Sequence, residues 1–127
     1  MLFRSRIPLF KNNTFKAYKV SKRFDDDISS VCSAFNLEIV KNKIQNVRIA
    51  YGGMAAIPKR AIHCEKVLLN SLITEEIIHK AKKALEKDFK PISDMRASRL
   101  YRMEIAKNLI EKCCVEIKQK KLIGVYF

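Results

Sequence analysis

Tryptophan is absent, and 127 residues include only three glycines, three prolines and two histidines. Each scarcity excludes something. Three glycines cannot furnish a GxGxxG turn or a phosphate loop, so this chain cannot build a dinucleotide site alone. His63 and His79 lie on different predicted helices among polar positions, where a solvated or capping role outweighs catalysis. The four cysteines, Cys32, Cys64, Cys113 and Cys114, include no CxxC pair, so neither a zinc clip nor iron–sulfur ligation is supported. Adjacent Cys113 and Cys114 fall in a helical pattern and point about 100° apart. All four read as reduced thiols acting as small apolar side chains. Serine-protease, thiol-protease and zinc motifs are also missing. No apolar run approaches the roughly 18 residues that span a membrane. The opening MLFRSRIPLF is too short, and too interrupted by Arg4, Arg6 and Pro8, for a secretory signal. The chain reads as cytoplasmic.

What is present is a globular composition, 48% hydrophobic and 31% charged, at a length where one domain spanning residues 1–127 is the default. Such a chain can bury about two thirds of its unfolded surface and fold alone. Charge is the conspicuous excess: 26 Lys plus Arg against 13 Asp plus Glu, for a net charge of +13. That passes the first test for a nucleic-acid binder, and a basic α+β nucleic-acid-binding module is the rival reading. Yet the basic residues are spread along the whole chain, and 18 of them are Lys against 8 Arg. Lysines snorkel on ordinary solvated faces, whereas Arg is the better reader of bases and phosphates. A basic face that docks on an acidic partner subunit accounts for the charge better.

Along the chain, Leu2, Phe3, Ile7 and Leu9, with Pro8, read as a short edge strand. Thr14 can cap a short helix through Phe15, Ala17, Tyr18 and Val20, with a strand as the alternative. From Ile28 to Val40 the alternation is clear. Val31, Ser33, Phe35, Leu37 and Ile39 share one face; Cys32, Ala34, Asn36 and Glu38 share the other. Lys41, Asn42 and Lys43 supply a turn, and Val47, Ile49 and Tyr51 repeat the period of two. Gly52 and Gly53 end this hairpin with a sharp turn. The rest is helical. A first helix starts at Pro58, with Ala61, Cys64, Val67 and Leu68 inside, and stops at Asn70. Thr74 caps a second, whose inner stripe is Ile77, Ile78, Ala81, Ala84 and Leu85 and which ends at Phe89 and Pro91. Ser98 caps a third, with Met103, Ala106, Leu109, Ile110, Cys113 and Ile117 inside. The tail after Lys121 frays or adds an edge strand. Strands first and helices later predicts an α+β domain. Its antiparallel sheet has three to four strands, with a central hairpin at about 28–40 and 45–52. One face is covered by three C-terminal helices.

Two segments stand out chemically. In KVSKRFDDD a basic cluster (Lys19, Lys22, Arg23) runs into an acidic one (Asp25, Asp26, Asp27). Clustered opposite charges either bind a polar cofactor edge or form a solvated ion network worth little energetically. In SDMRASRLYR, Ser93 or Ser98 can cap a helix with Asp94 at its positive end. Arg96, Arg99 and Arg102 are then surface charges, or else the forks of a subunit-docking edge that takes carboxylates bidentately.

Four ordered segments carry a resemblance: IP at 7–8, AYKVSKRFDDDI at 17–28, VRIAYGGMAAIPKRA at 47–61 and SDMRASRLYR at 93–102. Together they resemble the C-terminal domain of the FAD-binding subunit of xanthine dehydrogenase and related molybdenum hydroxylases, the CO dehydrogenase flavoprotein C-terminal domain family. The resemblance spans roughly residues 2–115. It implies an accessory domain that packs beside the FAD isoalloxazine, in an enzyme passing electrons from purine hydroxylation at molybdenum through iron–sulfur clusters to FAD and then NAD. FAD is expected only in the assembled enzyme. The implied partners are the FAD-binding domain and the molybdopterin subunit of the same enzyme, with no membrane and no nucleic acid. Carried over residue by residue, Lys19 approaches the flavin. Leu2 matches an apolar residue packing near the ring. Asp26, with Arg23 and Asp27, falls in the loop passing close to the flavin and the nicotinamide entrance. The FAD-binding, iron–sulfur and molybdopterin domains are absent from this sequence, which reads as an excised domain or a split-gene product, inactive alone.

Overall fold

The structure is a computed structural model that describes residues 4–6, 13–21 and 29–119. Four antiparallel strands form one sheet in the order β1 (Asn13–Val20), β2 (Val31–Val40), β3 (Lys43–Gly52) and β4 (Lys59–Arg60). Three helices follow: α1 (Ile62–Leu68), α2 (Glu75–Asp88) and α3 (Arg99–Gln119). The strand order equals the chain order because short antiparallel connections need no crossover.

The hairpin forms where the period of two predicts it. Val31, Ser33, Phe35 and Leu37 of β2 are buried, and so are Val47, Ile49 and Tyr51 of β3. The turn is tighter than expected. Only Lys41 and Asn42 occupy it, both with positive φ (52° and 67°). That is the primed two-residue loop whose twist matches the strands, so Lys43 opens β3 rather than completing the turn. The pairing passes from Ile39 opposite Ile44 to Glu38 opposite Asn46. Gln45 is therefore the extra residue of a bulge, and Ile44 and Val47 both reach the core although three apart.

Two elements differ from expectation. Residues 13–20 are a strand, not a Thr14-capped helix. The edge of β2 would otherwise leave its N–H and C=O groups unpaired, and Lys16, Tyr18 and Val20 alternate with exposed Phe15, Ala17 and Lys19. Nor does a helix start at Pro58. Lys59 and Arg60 pair with Tyr51 and Ala50, the Ala61 amide donates to the Ile49 carbonyl at 2.8 Å, and α1 begins only at Ile62. The expected strand at 2–9 and the tail beyond 119 lie outside the described residues, save 4–6, which form no strand.

The helices cover one sheet face. Thr74 accepts the Ile77 amide at 3.3 Å and Ser98 accepts that of Tyr101 at 3.1 Å, the two expected caps. Ala81, Ala84 and Leu85 of α2 and Ala106, Leu109, Ile110 and Cys113 of α3 close the core over the strands. Rings of Tyr18, Phe35, Tyr51 and Phe89 meet edge to face in sequence, with centroids 5.9, 6.0 and 5.4 Å apart. The interior is tied by polar groups that the periodicity does not reveal. Tyr51 Oη donates to the Ala106 carbonyl at 2.8 Å, and Tyr18 Oη to Glu116 at 2.6 Å. Asp88, at the end of α2, caps the start of α1 by accepting the His63 and Cys64 amides at 2.9 and 3.0 Å. His63 Nδ1 lies 2.8 Å from the same carboxylate, so this histidine is structural. No helix among the described residues is long and apolar enough to cross a membrane.

Candidate functional site

The uncovered sheet face is built from small side chains. Register places Lys19 beside Cys32 and Cys32 beside Gly52. The next row is Ala17, Ala34 and Ala50, and the row after it Phe15, Asn36 and Arg48. Alternation turns all of these away from the helices. The centre of the face is thus a low floor of alanine, cysteine and glycine, with Phe15, Arg48 and Lys19 rising around it. Gly52 has no packing reason of its own to lack a side chain. A Cβ there would meet only Cys32 Cβ, at an ordinary 3.7 Å. A planar group can approach this floor closely, with the Lys19 ammonium as a charged donor at its edge.

Beyond Lys19 the chain reaches Ser21, leaves the described residues and returns at Ser29. The Ser30 amide donates to the Val20 carbonyl at 2.7 Å, closing the mouth of this excursion. Here two of the motif segments, and Ser30 just beyond a third, converge on one residue. Arg102 Nη1 donates to the carbonyls of Ser30 and Gly53, both at 2.7 Å, and Nη2 donates to Asp94 at 2.7 Å. Arg102 is only 4% exposed. It is therefore neither the surface charge nor the docking fork that the sequence offered, but a buried tie. Gly53 is fixed by the same knot. Its φ is +83°, and a Cβ would lie 2.4 Å from the Ser30 carbonyl oxygen. Asp94 also accepts the Arg96 and Ala97 amides at 2.9 and 3.2 Å. Those amides, Arg96 first, together with the Arg102 guanidinium hold its carboxyl below the usual range.

Beside this knot a cleft of about 510 Å³ is lined by Ser21, Ser30, Asp94, Arg96, Ser98 and Tyr101, among others. Its lining sets four hydroxyls and the Asp94 carboxylate among apolar surface that includes Met95 and Ala97. Of the residues predicted to face a flavin, Lys19 is on the open floor; Leu2, Arg23 and Asp26 lie outside the described residues. Arg102 is what the sequence reading missed. The signal was there: 102, 106, 109/110 and 113 continue the buried stripe of α3 at helical spacing, which puts an arginine on the inner face.

The thiols are free. Cys64, Cys113 and Cys114 are buried, and burial raises all three, Cys114 to about 12. Cys32 is exposed on the open floor. Among the described residues no cluster of His, Cys, Asp or Glu could hold a metal ion.

This sheet-and-helix domain with its Lys19 row matches, over residues 16–117, the CO dehydrogenase flavoprotein C-terminal domain, and the chain belongs to that family. Among characterised relatives, the medium chain of glyceraldehyde dehydrogenase from Sulfolobus acidocaldarius is 28% identical over 100 residues, 79% of this chain and 36% of that one. A xanthine dehydrogenase from Emericella nidulans is 35% identical over 81 residues, 62% of this chain and 6% of that one. The chain thus spans about a third or less of the relatives that it matches. Solved structures share the fold. A carbon monoxide dehydrogenase from Hydrogenophaga pseudoflava superposes with a TM-score of 0.77 at 21% identity, over 84% of this chain and 37% of that one. A quinoline 2-oxidoreductase from Pseudomonas putida 86 gives 0.74 at 21% identity, over 89% and 39%.

Proposed function

We propose that this chain is the accessory domain of the flavin module of a xanthine dehydrogenase-like molybdenum hydroxylase, with its open sheet face packed beside the FAD isoalloxazine. The observation that carries the reading is the floor of Ala17, Ala34, Ala50, Cys32 and Gly52 with Lys19 at its edge. Membership of a flavoprotein family supports a planar occupant for that floor. FAD supplies the electron-transfer chemistry, between the substrate side and NAD. The residues of this chain bind and orient. The small side chains set the distance of approach, and Lys19 donates to a polar atom at the ring's edge. Leu2, Arg23 and Asp26, which lie outside the described residues, are assigned to the flavin on the family resemblance alone. The negative charge of Asp26 disfavours an electron-rich ring. The diphosphate has no Gly-rich cradle here, so the main FAD site belongs to a separate FAD-binding domain, with the molybdopterin subunit as the further partner.

The isolated chain, titrated with FAD and passed through gel filtration, is expected to stay colourless. A stoichiometric yellow complex at micromolar affinity would contradict a main FAD site elsewhere. Joined to its FAD-binding domain, the chain should make flavin retention depend on Lys19. The nucleic-acid reading gains no support from the sheet. Phe35 and Tyr51 are 2% and 1% exposed, buried as expected, and Phe15 alone among the described strand aromatics is exposed, where stacking on a sheet takes two or three.

A further inference from the structure

The seam between α2 and α3 is zipped on its outer side, then abruptly is not. Lys82 pairs with Glu111, and one turn further along each helix Glu86 pairs with Lys107 at 2.6 Å. α2 then ends at Asp88 and the chain leaves it in extended backbone at Phe89, so the ladder of pairs goes no further. Instead a groove of about 430 Å³ opens. Phe89 and Met103 form its floor, Pro91 and Leu100 its walls, and Lys90 and Arg99 its rim. Leu100 on its wall is 77% exposed, and Ile92, next to Pro91 in the chain, is 71% exposed. Isolated exposed leucines need no explanation, but Leu100 and Pro91 walling an apolar floor of Phe89 and Met103 make a patch of the kind that marks an interaction site.

The charge around the patch identifies what fits it. Lys90 and Arg99 make no ion pair among the described residues. Of the two carboxylates that line the groove, Glu86 pairs with Lys107, which leaves Glu104 beside Lys90 and Arg99 and the lining positive on balance. The whole chain carries +13. A second copy docked here would bring like charge against like. A segment with carboxylates flanking apolar side chains pairs with Lys90 and Arg99 and fills the groove.

We propose that this groove docks an acidic, apolar-anchored segment of a companion polypeptide, its leucine- or phenylalanine-type side chains on Phe89 and Met103 and its carboxylates on Lys90 and the Arg99 fork. The proposal rests on the flavin-module reading for the existence of a companion subunit, but it uses the helical side of the domain, away from the open sheet face.

The test is a ¹⁵N chemical-shift titration of the full chain with a short synthetic peptide in which glutamate alternates with leucine or phenylalanine. Two control peptides carry lysine for glutamate, or serine for the apolar residues. The result expected is saturable shifts confined to residues 86–107 with the acidic apolar peptide alone. Leu100→Asp and Arg99→Glu should each weaken binding about tenfold or more, with an unchanged melt. Shifts elsewhere, equal binding of the lysine peptide, or no binding would overturn the proposal. So would sedimentation showing a dimer that Leu100→Asp disperses. A fourth contrary result is binding to phosphatidylserine vesicles that Leu100→Asp abolishes, without peptide binding. Failure here is separable from failure of the flavin reading. Loss of the Lys19 dependence of flavin retention, with peptide binding intact, sinks only the flavin reading; absent peptide binding with that dependence intact sinks only the groove.

Discussion

Arg102→Met removes the guanidinium on which three segments of the chain converge while keeping an unbranched, helix-compatible side chain. The Ser30 and Gly53 carbonyls and the Asp94 carboxylate each lose a 2.7 Å charge-assisted bond. Truncating one partner of a buried charged network costs about 3–5 kcal/mol, because the remaining groups stay desolvated and unpaired. Asp94 still has its two amide donors and reaches water, so the lower end, about 3 kcal/mol, is expected. For a chain of this length the unfolding entropy converts 1 kcal/mol to about 4 °C in Tm. The melt should therefore fall by about 12 °C. The assay is thermal unfolding followed by far-UV circular dichroism at neutral pH, with urea unfolding to confirm a shift of midpoint at constant slope. Arg102→Lys should recover only a part, since an ammonium cannot reproduce the fork to two carbonyls and a carboxylate. A Tm within about 2 °C of wild type would refute the reasoning. It would mean that the knot is a surface contact and that the two motif segments and Ser30 are held together by something else.

Other consequences are open to direct measurement. Gly53→Ala forces a Cβ to within 2.4 Å of a backbone oxygen at φ +83°, and a loss of about 2–3 kcal/mol in urea unfolding is expected. Asp88→Ala strips the caps from the His63 and Cys64 amides and should cost about 1–3 kcal/mol, read as early loss of hydrogen-exchange protection in α1. Asp94, whose carboxyl is held below its ordinary 3.8, contributes stability that is fully present above that value and is lost as pH falls through the lowered one. The stability gap between wild type and Asp94→Ala should accordingly narrow below about pH 4 and stay level from there to neutrality. Ellman's reagent should titrate one thiol in the native chain, Cys32, and four after denaturation, because Cys64, Cys113 and Cys114 are buried with raised thiol pKa.

The parts of the fold legible in the sequence are those decided locally. The β2–β3 alternation, the Thr74 and Ser98 caps and the inner stripes of α2 and α3 all depend on residues within one or two turns of each other. The parts that were not legible are decided at a distance. Residues 13–20 carry a pattern that serves helix or strand, and the open edge of β2 selects strand. Lys59 and Arg60 pair because β3 needs a partner there, which outweighs Pro58 as a helix start. The Gln45 bulge adds one residue that no period of two announces. Arg102 is the instructive case. Its spacing from Ala106 placed it inward, but charge made it look like surface, and only the Ser30 and Gly53 carbonyls, 72 and 49 residues away, explain how a guanidinium can be buried. In the candidate site, the Lys19 row could not be seen before the register aligned Lys19, Cys32 and Gly52 across three strands.

The most direct test of the central claim is flavin retention in the flavoprotein assembled from this chain and its FAD-binding domain, measured as the FAD dissociation constant for wild type, Lys19→Ala and Lys19→Gln, beside a melt of each chain alone. A charged hydrogen bond is worth about 1.5–3 kcal/mol, so Lys19→Ala should weaken retention by roughly ten- to a hundredfold. Lys19→Gln should fall between. Neither melt should move by more than about 2 °C, since the side chain lies on the exposed face and surface substitutions stay within about 0.5 kcal/mol. Equal retention by all three proteins, or a loss that tracks a lowered melt, would contradict the placement of this sheet face against the flavin.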